Sequence, residues 1–388
     1  MKYDFGKSVD RYGTNSLKYD FSRERGMPDG ILPLWVADMD FKVAPCITKA
    51  LQQRVDHGIY GYSDIKDDYF EALRQWFDTR FSWKLERPWL FMTPGVVCAV
   101  YMAVRALTNP GDSVIIMEPV YYPFRSAVTD TGRELVVTEL IYSDGFYEID
   151  FDDFERKITD SKVRMFILCS PHNPVGRVWT ITELERIADI CLRHGVTVVS
   201  DEIHQDFVYT PHNHTVFASI SGEISDITVT CTSPSKSFNI AGLNTSNIFI
   251  SNKILHARLA AEYKSSGLSQ PGVMGITAGK AAYSQGGEWL DELKAYIRGN
   301  FDFVRSFLRE HIPNTALVEP EGTYLAWLDC RQAEPNPERL NSRIVKDAGL
   351  WLDDGRMFGA SGGGFQRINI AVSRATIEQA LYRLKGIF

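Results

Sequence analysis

Six short runs of this chain are apolar and rich in β-branched residues, and they alternate with segments that read as helices. The strand readings are Ser113–Met117, Leu135–Leu140, Val163–Ser170, Val196–Ser200, Ile227–Cys231 and Asn247–Ser251. Several are apolar at successive positions rather than at every second one. That is the pattern of a strand covered on both faces. The helix readings between them are Val96–Leu107, Tyr121–Thr131, Thr182–His194 and Lys253–Ser265. Thr182 and Glu185 have the spacing of a capping box, and Gly195 supplies a stop. The alternation predicts an α/β fold: a mostly parallel sheet with helices on both faces, placed at 48–288. After the Gly286–Gly287 break the pattern changes to a long helix over Trp289–Glu310. The short strands Leu317–Glu319, Tyr324–Asp329 and Arg367–Val372 follow it. Residues 289–388, with 1–47, are read as a second, smaller α+β domain.

Composition narrows the function. Net charge is −7 with no Lys/Arg run, which argues against a nucleic-acid partner. No run of about 18 apolar residues occurs, so no membrane span is expected. The N-terminus has no apolar leader segment, and the six cysteines show no CxxC pair. Together these predict reduced thiols and a cytoplasmic location. Cys169 and Cys231, inside apolar runs, read as buried thiols.

Three polar residues stand just beyond apolar strands: Asn173 after Val163–Ser170, Asp201 after Val196–Ser200, and Lys236 after Ile227–Cys231. Ligands of open α/β sheets bind outside the carboxyl ends of the strands, so all three converge on one cleft. A lysine, a carboxylate and an amide together match pyridoxal 5'-phosphate. Its aldehyde takes an amine as a Schiff base, its ring nitrogen needs an anionic partner, and its phenolic oxygen accepts a hydrogen bond. Its phosphate needs donors. Gly95, Val96 and Val97 open the Val96–Leu107 helix, whose first N–H groups are free, and Ser233 and Ser235 flank the lysine. Tyr121 is placed to stack on the ring. The bland alternatives are a helix cap for Asp201, a turn for Asn173 between two prolines, and core packing for Tyr121. His204 with Asp201 and Asp206, or His212 with His214, lacks a familiar metal spacing, so no metal is expected. The glycines of Phe358–Phe365 read as a flexible loop before the Arg367 strand, near the substrate entrance.

These motifs, in this order across nearly the whole chain, resemble the fold-type I pyridoxal-phosphate enzymes of the aminotransferase class I/II superfamily. The resemblance implies roles for further residues. Arg367 would hold a substrate α-carboxylate. Tyr62 would reach the phosphate of a neighbouring subunit, which implies a homodimer with shared active sites. Where many aminotransferases carry an arginine eight positions after the lysine, this chain has Asn244. Where many carry a tyrosine three positions after the aspartate, it has His204. These departures, with the segments Leu32–Phe41 and Ser200–Val208, are similar to the MalY/PatB-like cystathionine β-lyase (C–S lyase) branch.

The implied activity is α,β-elimination from cystathionine or a related cysteine S-conjugate, giving thiol, pyruvate and ammonia. Lys236 would be the general base, and Trp35 and Tyr121 would shape the pocket for a sulfur-containing amino acid. Transamination is the alternative within the same chemistry. A non-catalytic regulatory protein on the same fold is the alternative from another class. A nicotinamide dehydrogenase is excluded by the lack of a strand–GxGxxG–helix unit.

Overall fold

The computed structural model describes residues 2–388. Seven strands form the central sheet: β1 (Leu90–Thr93), β2 (Ser113–Glu118), β3 (Glu134–Glu139), β4 (Val163–Cys169), β5 (Thr197–Asp201), β6 (Thr228–Thr232) and β7 (Ser246–Phe249). Their spatial order is β1-β7-β6-β5-β4-β2-β3. The pairs from β6 through to β3 are parallel, and β7 runs antiparallel to both its neighbours. Each of the six predicted strands is present within a residue or two. The exception in length is β7, which stops at Phe249. Strand β1 was not anticipated, because four residues are too few to show a period.

The continuous apolar runs are explained by what covers them. Ile115, Met117, Phe166 and Leu168 face a core with Phe154, Leu184 and Ile187. Val114, Ile116, Met165 and Ile167 face the opposite one, with Ala99, Ala103 and Val128. Helices therefore cover both faces. Cys169 and Cys231 are buried as expected, and all six cysteines are free thiols. Among the described residues, no helix is long and apolar enough to cross a membrane.

Helices Val96–Leu107 and Lys253–Ser265 match expectation to the residue. The helix expected at Thr182 runs over Ile181–His194 and is capped two residues earlier than predicted. Its capping box is Thr180 with Glu183. Both Thr-x-x-Glu spacings exist in the sequence. The earlier one prevails because Glu183 also receives Arg177 Nη2 at 2.9 and 3.0 Å.

Arg177 is the buried hub of this corner. It also bonds Glu321 at 2.9 Å and the carbonyl of Tyr147. The tight turn His172–Arg177, which carries Asn173, closes through His172 N–H to Arg177 O at 2.8 Å. Removing one partner of a buried ion pair strands the other, at a cost of about 3–5 kcal/mol. Arg177→Met is therefore expected to lower stability by about that amount, measured by urea unfolding with the slope unchanged.

A second sheet follows the long helix Gly287–His311: β8 (Ala316–Leu317), β9 (Leu325–Asp329), β10 (Asp353–Asp354) and β11 (Phe365–Asn369), in the order β8-β9-β11-β10 and wholly antiparallel. Its inner face and the helix Arg374–Lys385 share one core with N-terminal residues Phe5, Leu34 and Phe41. The same core also takes in Phe77, Phe207 and Phe238 from the region of the first sheet.

The Phe358–Phe365 segment is not an open loop. It forms two short 3₁₀ turns, Gly355–Phe358 and Ala360–Gly362, packed against one another. A Cβ on Gly355 would lie 2.0 Å from the carbonyl oxygen of Gly362, so close backbone packing accounts for that glycine.

Candidate active site

The carboxyl ends of β4, β5 and β6 open onto a cavity of about 190 Å³. Lys236, Asp201, Asn173, Tyr121, Gly95, Val96, Val97, His204, Ser233 and Ser235 all line it. Asn244, which replaces the usual arginine, lines it too.

Asp201 ends β5 and is buried, with Oδ1 accepting the Ile203 N–H at 3.1 Å. Burial pushes its carboxyl up to about 7. Lys236 sits in the single turn Pro234–Ser237 after β6. Burial, and then the positive charge of Arg367, bring its amine down to about 8, against the pull of Asp38 and Asp201. Its Nζ donates to the carbonyl of Ala37 at 2.7 Å. Lysine and aspartate thus titrate near neutrality, each because water has been removed.

Asn173 Oδ1 accepts from Arg367 Nη1 at 2.9 Å. Its oxygen is thereby engaged, and the amide NH₂ is its remaining donor group. His204 is buried and held neutral, with its pKa far below the ordinary value, because burial opposes its charge. It serves as a neutral side chain there and not as a cation.

The corner expected to take a phosphate is built from backbone. No side chain caps the helix Val96–Leu107, whose N-cap is Gly95. Its first-turn N–H groups are therefore free for an anion. A Cβ placed on Gly95 would meet no atom within 4 Å, so this corner is open space beside bare N–H groups. The Ser233 hydroxyl donates to Thr245 O at 2.7 Å and accepts the Ser235 N–H at 3.0 Å. It caps its own turn.

Three expected residues stand outside this cavity. Arg367 is buried beside it, held by Asp353 and by the Trp35 carbonyl at 3.1 Å. Trp35 stacks on Trp351 with ring centroids 4.4 Å apart, so it reaches the site through its backbone. Tyr62 is 98% exposed in the irregular stretch between the helices Pro45–His57 and Asp67–Phe81.

Sequence reasoning missed Ala37, Tyr324 and Asp353. Ala37 acts through a carbonyl, which no residue type announces. Tyr324 sits in an apolar strand-like run. Asp353 meets Arg367 through the β10–β11 register. The doubled acid Asp353–Asp354 between apolar residues was the one available signal.

A buried lysine, a buried carboxylate, an amide and a bare helix N-terminus on one small cavity fit pyridoxal 5'-phosphate, whose aldehyde, ring nitrogen, phenolic oxygen and phosphate call for groups of these kinds. Residues 29–384 match the family Aminotransferase class I and II, and the chain belongs to it. Cystathionine beta-lyase PatB of Bacillus subtilis is 43% identical over 99% of both chains. Protein MalY of Escherichia coli is 35% identical, over 98% of this chain and 97% of its own. Among solved structures, cystalysin from Treponema denticola, described as containing pyridoxal 5'-phosphate, superimposes with a TM-score of 0.96 at 37% identity. The match covers 99% of this chain and 98% of that one.

Proposed function

We propose that this chain is a pyridoxal-phosphate-dependent carbon–sulfur β-lyase, acting on cystathionine or related cysteine S-conjugates to release thiol, pyruvate and ammonia. The observation that carries the reading is the buried pair Lys236 and Asp201 on one cavity, in a chain 43% identical to a cystathionine β-lyase. When bound, the cofactor supplies an electron sink for the substrate's Cα.

The protein's own residues do the rest. Lys236 would anchor the cofactor, and its free amine would take the Cα proton as general base. Asp201 would keep the ring nitrogen protonated. Asn173 would donate to the phenolic oxygen, Tyr121 would cover the ring, and the Gly95–Val97 N–H groups with Ser235 and Asn244 would hold the phosphate. Arg367 receives the substrate carboxylate on its planar fork, pre-aimed by Asp353 and Asn173. Tyr121 bounds the side-chain pocket, and Trp35 contributes its carbonyl to the placing of Arg367.

The same reading makes the enzyme a homodimer in which Tyr62 reaches the partner's phosphate. The exposure of Ile59, Tyr60 and Tyr62 together supports it, since a solvated stretch with three large apolar side chains calls for a partner. The free thiols support a cytoplasmic setting. The division into 48–288 and the combined 1–47 and 289–388 is supported by the placement of the two sheets.

Steady-state assay with cystathionine, cysteine and S-alkyl cysteines, reading pyruvate and thiol, tests the function. Stoichiometric release of both without an acceptor is expected. A strict requirement for a 2-oxo acid would replace the lyase by a transaminase. Protein that stays colourless after cofactor addition would point to the non-catalytic reading.

A further inference from the structure

The segment Trp35–Met39 is a ribbon whose carbonyls are satisfied by side chains drawn from all around it. Trp35 O accepts from Arg367 at 3.1 Å. Val36 O and Asp38 O both accept from Asn369, at 2.6 and 2.5 Å. Met39 O accepts from Asn239 at 2.9 Å and from Arg11 at 3.3 Å. Ala37 O receives two donors: Lys236 Nζ at 2.7 Å and the Tyr324 hydroxyl at 2.9 Å. A carbonyl has two lone pairs, so this one is filled.

The ribbon is also fixed by charge. Arg11 takes the Asp38 carboxylate in a two-point contact, at 3.1 and 2.6 Å. It reaches Asp40 at 2.8 Å, and the fully buried Lys18 reaches Asp40 at 3.1 Å. Asp38 is therefore spent on Arg11 and does not bond Lys236. Asp201 faces the amine from β5 and Arg367 from β11, while the neutral His204, Tyr121 and Tyr324 complete its charged and titratable surroundings. The amine thus rests on a neutral oxygen although two carboxylates are near.

That choice of acceptor has chemical consequences. A carboxylate would stabilise the ammonium form and retire the amine as a base. A peptide carbonyl does so less. A second donor on the same oxygen draws electron density from it and weakens its hold on the proton further. We propose that the Ala37 carbonyl is the resting place of the Lys236 amine whenever that amine is free of the cofactor, and that Tyr324 is a positioning residue that loosens the amine's hold on its proton. The proposal rests on the reading of Lys236 as the cofactor's lysine. Tyr324 is fully buried, edge-on to Phe207 with centroids 4.9 Å apart, so Tyr324→Phe keeps the packing and removes only the hydroxyl.

The test uses full-length protein freed of cofactor, with pyridoxal 5'-phosphate as the probe. The rate of capture is followed against pH through the visible absorbance of the new lysine linkage. Capture needs the neutral amine, so its acid limb reports the free Lys236. The wild-type midpoint is expected near 8. In Tyr324→Phe it moves alkaline by about half a unit, which slows capture at pH 7 by roughly threefold. The spectral titration of the linked cofactor, where the amine has left Ala37, stays unchanged. An unmoved midpoint in the variant overturns the proposal. So does a wild-type midpoint at the ordinary lysine value of 10.5, which decides the matter even if the variant does not fold. Absence of capture at every pH would instead defeat the reading of Lys236 itself.

Discussion

Replacing Lys236 with alanine is expected to lower turnover by at least about 10⁴-fold while leaving the protein folded. General acid–base catalysis by a placed side chain contributes about 10²–10⁴ in rate, and in the proposed function this side chain is also the covalent anchor of the cofactor. Stability should change little. The amine is buried and costs desolvation when charged, which is why it sits near 8. Its one recorded acceptor, Ala37 O, keeps the Tyr324 donor after the change. No buried partner is stranded in the way Glu321 would be by loss of Arg177. Pyruvate release measures the first effect and thermal melting the second. Near-normal turnover in a folded variant would remove Lys236 from the reaction.

Much of this arrangement was legible in the sequence, for a definite reason. Strands such as Val163–Cys169 are buried on both faces, so apolar content alone marks them. Their carboxyl ends then fix where Asn173, Asp201 and Lys236 come out, whatever their separation along the chain. Gly95 was legible because a glycine opening an apolar helix is a recognisable anion site, even with strand β1 unanticipated. The missed parts depend on pairings between distant segments. Asp353 faces Arg367 only because β10 pairs with β11 in one register. Tyr324 meets Ala37 across 287 residues. The capping box at Thr180 was chosen over Thr182 by the contact of Glu183 with Arg177, and periodicity holds no record of such a contact. The Phe358–Phe365 glycines looked like freedom, although at Gly362 the requirement is close packing against Gly355.

Asp201→Asn is expected to lower turnover by about 10²-fold or more and to remove a pH dependence of the cofactor-free protein. The change is close to isosteric, and the amide can still accept from Ile203 N–H. What it lacks is charge. A carboxylate and a ring cation about 3 Å apart attract by roughly 5 kcal/mol at an effective dielectric near 20, before desolvation. A net share of about 3 kcal/mol already corresponds to about 10² in rate. In the cofactor-free protein the same carboxyl is raised from 3.8 to about 7 by burial. A carboxyl raised in the folded state binds its proton more tightly there than in the unfolded chain. Its contribution is full below pH 3.8 and is lost as pH rises towards 7. About three units at about 1.4 kcal/mol each amount to about 4 kcal/mol for the wild type, and to nothing from this position in the asparagine variant. The difference between the two stability curves across that window isolates Asp201. Cofactor binding should flatten the wild-type curve, because the ring cation holds the carboxylate ionised. Parallel curves for the two cofactor-free proteins, together with unchanged turnover, would mean that Asp201 faces no cation in this site.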